Sequence, residues 1–143
     1  MAVLAMLGVL FLPGVSFAVS AVLTGDTSLS SLSSTPSGNN GVLKIQQAAP
    51  AQLTLLKFNP VVVLPAGTTG DDIAKATLKV FVNQVTTAGT FGIRVVTSDW
   101  SEATLTYAVA LGKLGTTAAS GLSVPVDSDN DWITIDVTAL VAD

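Results

Sequence analysis

Two short stretches of this sequence hold side chains able to do chemistry. Asp99-Trp100-Ser101-Glu102 places two carboxylates three residues apart beside an indole. Paired carboxylates hydrolyse glycosidic bonds when one is buried, one is polar and they face each other across a cleft. Neighbours on one loop seldom do so, and the expected use is structural, with Trp100 packed over the end of a sandwich and Glu102 accepting loop amides. The second stretch, Asp127-Ser128-Asp129-Asn130-Asp131, has the alternating oxygen ligands of a calcium loop. It lacks the glycine that lets such loops turn, Trp132 stands in that place, and no distant Glu follows. A solvated hairpin turn is the expectation, with Asp127, Asp129 and Asp131 as candidate ligands should calcium bind; no other cofactor is expected.

What is missing narrows the chemistry further. The chain has no histidine and no cysteine, which rules out Ser-His-Asp and Cys-His nucleophiles, zinc fingers and iron–sulfur clusters. No residue set for ordinary enzyme chemistry remains, so a non-catalytic protein is expected. Trp132, Trp100 and Tyr107 are candidate sugar-stacking residues. Phe58 and Phe91 sit inside apolar runs and read as core. Six basic residues are scattered over a chain of net charge −4, so no phosphate-tracking stripe exists and nucleic acid is not an expected partner.

The elements that must position these residues are strands. A chain of 143 residues is one domain's worth. Only 11% is charged, mean hydropathy is +0.63, and Val, Thr, Ser, Ala and Gly dominate. From Val42 onward short apolar runs alternate with turn signals: Val42–Gln46, Leu53–Phe58, Val61–Leu64, Ala74–Asn83, Phe91–Thr97, Thr104–Tyr107, Leu122–Val126 and Trp132–Val137. In the clearest two, Leu78, Val80 and Val82 alternate with Thr77 and Lys79, and Ile133, Ile135 and Val137 alternate with Trp132, Thr134 and Asp136. That is the period of a strand. The six aliphatic residues are expected to face one core.

The N-terminus differs in kind. The first 25 residues carry no charge, and Met1–Leu12 is an unbroken apolar run closed by Pro13-Gly14. Ser16 and Ala18 then suit the −3 and −1 positions of a signal-peptide cut, with Ala21 as a second site, although no basic residue precedes the run. A membrane anchor and a retained structural segment are the rival readings. Residues 1–21 are therefore read as an apolar leader, 22–41 as a Ser/Thr/Gly-rich surface loop with one short edge strand near Ser28–Leu32, and 42–143 as the β domain.

Four motifs, in order, resemble the DNRLRE-domain family, which overlaps a group of carbohydrate-binding modules. They are Leu55-Leu56-Lys57-Phe58-Asn59, the strand Ile73–Val82, Asp99–Glu102 followed by Leu105-Thr106-Tyr107, and Trp132–Val141. The resemblance covers about residues 42–141. It implies an all-β, jelly-roll-like antiparallel β-sandwich on a secreted or cell-surface protein, and for some members binding of acidic or plant-type polysaccharides. Family members continue with further strands where this chain stops at Asp143, and the loop after the Trp-Glu motif differs here.

Two functions are carried forward. One is a structural or adhesive extracellular protein that self-associates, a filament subunit joined when an apolar strand around Phe17, Val19, Val22 and Leu23 completes a neighbour's sheet. The alternative is a carbohydrate-binding module with a polysaccharide partner. Contact with a membrane is expected only through an uncleaved leader.

Overall fold

The computed structural model describes residues 8–9, 18–37, 41–59 and 64–142. The described chain is all-β with little helix. Its strands are β1 (Gly8–Val9), β2 (Val22–Ser30), β3 (Gln52–Asn59), β4 (Ala76–Val82), β5 (Gly89–Val96), β6 (Leu114–Val124) and β7 (Asp131–Asp136). Two short α-helices, α1 (Tyr107–Leu111) and α2 (Thr138–Val141), and 3-10 turns at Gly70–Asp72 and Val126–Ser128 accompany them. The strands pair in the orders β1-β4-β7, β2-β3 and β5-β6. The chain divides into two compact units, the first holding Leu23–Phe58 and Arg94–Thr116, the second Val3–Val22, Asn59–Ile93 and Thr117–Asp143.

In the first unit the core gathers Leu29 of β2, Leu55 of β3, Leu105 and Ala110, with Leu53, Val96, Trp100 and Tyr107 packed against them. β2 departs from the expected loop: it starts at Val22, and Thr27, Ser28 and Leu29 are buried. Threonine is β-branched and suits a strand, and the Ser28 hydroxyl finds partners, donating to the Lys44 carbonyl (3.3 Å) and accepting the Lys44 N–H (3.0 Å). Those bonds explain why Val42–Gln46, expected as a strand, makes only the isolated bridge Gln46↔Gln52. The Thr54 hydroxyl also donates to the Lys44 carbonyl (2.9 Å). Side-chain oxygens thus take the place of a ladder there.

A second correction concerns Thr104–Tyr107, expected as a strand. Tyr107–Leu111 is helical, with Thr106 extended at its N-cap and Gly112 closing it. Two alanines and a leucine favour a helical turn, and Tyr107 and Ala110, three apart, share the inward face. Val61–Val63, within another expected strand, lie outside the described residues.

In the second unit β4 and β7 run antiparallel in the register Thr77↔Asp136, Leu78↔Ile135, Lys79↔Thr134, Val80↔Ile133, Phe81↔Trp132 and Val82↔Asp131. Leu78, Val80, Ile133 and Ile135 therefore lie on one face, as the alternation requires, and Ile135 and Val137 are buried. The opposite face carries Phe81 and Trp132, edge to face with ring centroids 5.3 Å apart. On the other side of β4, Gly8–Val9 pairs antiparallel with Ala76–Thr77. Past β7 the chain is tied back: Thr138 Oγ1 accepts the Ala76 N–H (2.9 Å), and the Val137 N–H reaches the Ala76 carbonyl (3.0 Å).

Candidate functional site

The first unit contains an open cleft of about 980 Å³. Two of the motifs that carried the family resemblance, those of Lys57 and Trp100–Glu102, contribute to its walls. Trp100, Ser101 and Glu102 form one side, Thr24 and Gly25 of β2 with Lys57 of β3 form another, and Thr35, Pro36 and Ser37 close the rim. The indole of Trp100 rests where β2 has no side chain: a Cβ on Gly25 would lie 3.6 Å from Trp100 Cη2 and 3.1 Å from Glu102 Oε1. Glycine spares the carboxylate a tight contact, while the ring meets this point of the strand at ordinary van der Waals distance. The hydroxyl of Thr24 donates to the Lys57 carbonyl (3.2 Å), holding the β2 and β3 walls together at the cleft.

Charge in the cleft is largely compensated. Lys57 pairs with the Asp99 carboxylate, donates to the Trp100 carbonyl (3.1 Å) and lies 5.7 Å from the centre of the Trp100 ring, within cation–π range. The hydrogen bond from Lys57 holds the Asp99 carboxyl below its ordinary value. Lys113 supports the same loop by donating to the Asp99 carbonyl (2.7 Å) and the Ser98 hydroxyl (2.9 Å). Glu102 accepts the Asp26 N–H at 2.6 Å. The Asp26 carboxyl is pushed up, first by burial and then by the Glu102 charge. Among the described residues the cleft walls carry one carboxylate, Glu102, already bonded to an amide. They offer an aromatic surface, hydroxyls and a fixed ammonium, a lining suited to polar, ring-shaped ligands.

The other sequence-predicted residues are distributed differently. Tyr107 starts α1 and packs on the first unit's core, away from the cleft lining. Trp132 belongs to the second unit and is 44% exposed. Asp129 accepts the Val85 N–H and Asp131 the Trp132 N–H (2.7 Å), while a 3-10 turn over Val126–Ser128 and Asn130 at φ 59° make the bend. Asparagine tolerates that left-handed conformation, so it does the turning for which a calcium loop uses glycine. Among the described residues no three acidic side chains converge on a metal position. Phe17 lies outside the described residues, Val19 is half-buried, and Val22 and Leu23 open β2, a strand of this chain's own β2-β3 pair. Gly25, Thr24 and Asp26 were missed from sequence because they fall in the stretch read as a loop. Their only signal was Thr-Gly-Asp ahead of alternating residues.

The family profile of carbohydrate-binding module family 96 matches residues 18–143, taking in the Ser/Thr-rich stretch as well as the later motifs. This is the carbohydrate-binding side of the resemblance rather than the DNRLRE-domain name. No curated protein and no solved structure matches the chain.

Proposed function

The chain belongs to carbohydrate-binding module family 96, and from that premise we propose that it is a non-catalytic extracellular module that holds a polysaccharide in the Trp100-walled cleft. The observation that carries the proposal is the seating of Trp100 on Gly25 beside Lys57, within a cleft whose rim is rich in hydroxyls. A pyranose ring has an apolar face for an indole and hydroxyls around its edge for Lys57, Ser37 and Ser101. The absence of histidine and cysteine from the chain supports binding without turnover. Of the three Lys57 N–H donors, two go to Asp99 and the Trp100 carbonyl, which leaves one for a ring hydroxyl or carboxylate oxygen. No described helix is long and apolar enough to cross a membrane.

Isothermal titration with polygalacturonate and with a neutral β-glucan tests this. Trp100→Ala should weaken binding at least about tenfold, or ~1.4 kcal/mol. Because Trp100 also packs on the core, Thr35→Trp provides an independent arm: Thr35 is an exposed rim residue, and an indole there fills the cleft. Full affinity in both variants would remove the cleft from the function.

A surface filament subunit joined by strand exchange is the second reading. It rests on the charge-free, apolar N-terminal run; Gly8–Val9 pairs with β4 of its own chain, and subunits would join only if the same pairing were made between copies. Elongated polymers of the full chain under negative stain are its expected outcome, and a compact monomer at all concentrations removes it.

A further inference from the structure

The outward face of the β4–β7 pair is a row of side chains that the cleft does not use. We propose that this face is a second glycan-binding surface, on which a linear polysaccharide lies flat with one pyranose ring on the Trp132 indole. The inference rests on the sugar-binding role proposed above but concerns different residues in the other unit.

The cross-strand register builds the surface in rows. Phe81 and Trp132 form an aromatic row, Lys79 and Thr134 the next, and Thr77 and Asp136 the one after. Lys79, Thr134 and Trp132 are all exposed. An indole is a costly group to leave in water, since burial of so large an apolar side chain is strongly favourable. Here the edge-to-face contact with Phe81 fixes the ring and still leaves it 44% exposed. A held, outward aromatic is pre-organised for a planar ligand, because little side-chain entropy remains to be lost on binding.

The neighbours complete the chemistry. Lys79 is diagonal to Trp132 across the pair, a separation of about 7–8 Å that a long side chain can reach, and Thr134 stands on the same face two residues along β7. Among the described residues Lys79 has no ion-pair partner, the one salt bridge being Lys57–Asp99. It is a free donor for ring hydroxyls. Asp136 Oδ1 accepts the Thr138 N–H (2.9 Å) and hydroxyl (2.6 Å), which leaves Oδ2 as an acceptor at the end of the row. Aromatic stacking below and donors at the side match the two faces of a sugar ring, apolar above and hydroxylated at the rim. A protein partner would need a larger apolar patch than one indole and one phenyl edge.

The sequence supplies a direct test. The chain has two tryptophans, and each reports one surface. Trp100→Phe leaves Trp132 as the fluorophore, and Trp132→Phe leaves Trp100. Titrating both full-length variants with polygalacturonate and with a neutral β-glucan, we expect saturable changes in Trp132 emission and protection of Trp132 from acrylamide quenching. Adding Lys79→Gln to the Trp100→Phe chain should weaken the Trp132 response about tenfold, while the same change in the Trp132→Phe chain leaves the Trp100 response unmoved. A flat Trp132 signal where Trp100 responds overturns the second surface and spares the cleft. A Trp132 response with a silent Trp100 supports the surface and sinks the cleft. Two flat signals overturn both.

Discussion

Glu102 acts on Asp26 in two opposing ways. Its carboxylate satisfies the Asp26 N–H at 2.6 Å, while its charge adds to the burial that pushes the Asp26 carboxyl above the ordinary 3.8. A raised carboxyl binds its proton more tightly in the folded chain, so its contribution favours the fold at low pH and is lost as pH rises through the folded value. Asp26→Asn removes that cost. Its melting temperature should exceed the parent's near neutral pH, and the gap should close as pH falls well below 3.8, where the Asp26 carboxyl is protonated in the folded and unfolded chain alike. A gap that persists in acid would mean that the carboxyl's ionisation is not the cause. Asp99 behaves with the opposite sign. The Lys57 hydrogen bond lowers it, so its contribution is present above the unfolded value and fades as pH falls through the folded one. Removing the acceptor altogether, with Glu102→Ala, leaves a part-buried amide without a partner and should cost about 1–3 kcal/mol, less what relief of Asp26 returns; a denaturant midpoint measures it. The Asp-Trp-Ser-Glu spacing made an amide bond to Glu102 legible in the sequence. Which amide was not, because Asp26 is 76 residues away and no local rule reaches that far.

The elements were legible where period and burial agree. Leu78, Val80, Ile133 and Ile135 share a face because both strands alternate and the register pairs them. Ile135 is 3% exposed, so Ile135→Ala should cost about 2–5 kcal/mol in chemical denaturation; a loss within error would mean that the face is not core. Elements were missed where tertiary contacts override pattern. Thr27 and Ser28 look like loop residues, yet both are buried in β2; Lys44 supplies the Ser28 hydroxyl with both a donor and an acceptor, while the Thr27 hydroxyl has no partner among the described residues. The strand predicted at Thr104–Tyr107 is instead a turn, with the Leu105 N–H on the Ser101 carbonyl (3.0 Å), that leads into α1 at Tyr107; four residues cannot distinguish the two periods. The connection around Gly70 lies between the expected strands Val61–Leu64 and Ala74–Asn83, and it is sterically tight. A Cβ there would sit 2.0 Å from the Ala142 carbonyl oxygen, a backbone atom that cannot swing aside. Gly70→Ala should therefore cost about 1–3 kcal/mol and loosen α2, read as faster amide exchange over Thr138–Val141. Unchanged exchange and stability would show that the two segments separate freely.

At the scale of the whole chain, charge excluded more than it selected. Ten acidic and six basic residues with no histidine argued against nucleic acid and most catalysis. The same composition is silent on sugars, because a glycan site needs only one or two aromatics and a few hydroxyls. The link to polysaccharide came from motif order, and two of those motifs meet in the cleft as Lys57 and Trp100–Glu102. Net charge nevertheless makes a prediction about that ligand. At neutral pH the chain carries −4 and repels a polyanion at long range, whereas Lys57 attracts a carboxylate only at contact. Lowering the pH toward the isoelectric point near 4.4 removes the repulsion. It leaves the Lys57–Asp99 pair intact, because the Asp99 carboxyl is held down. The carboxyls of polygalacturonate, acids of about α-carboxyl strength, remain largely ionised there. Affinity for polygalacturonate in low salt should therefore rise between neutral pH and about 4.5, while affinity for a neutral β-glucan stays level. Added salt should narrow the difference, since the lost term is a screened, long-range one. Affinity electrophoresis at the two pH values measures it, and weaker retention of the acidic polymer at the lower pH would mean that an ionised carboxylate on this chain is needed for binding.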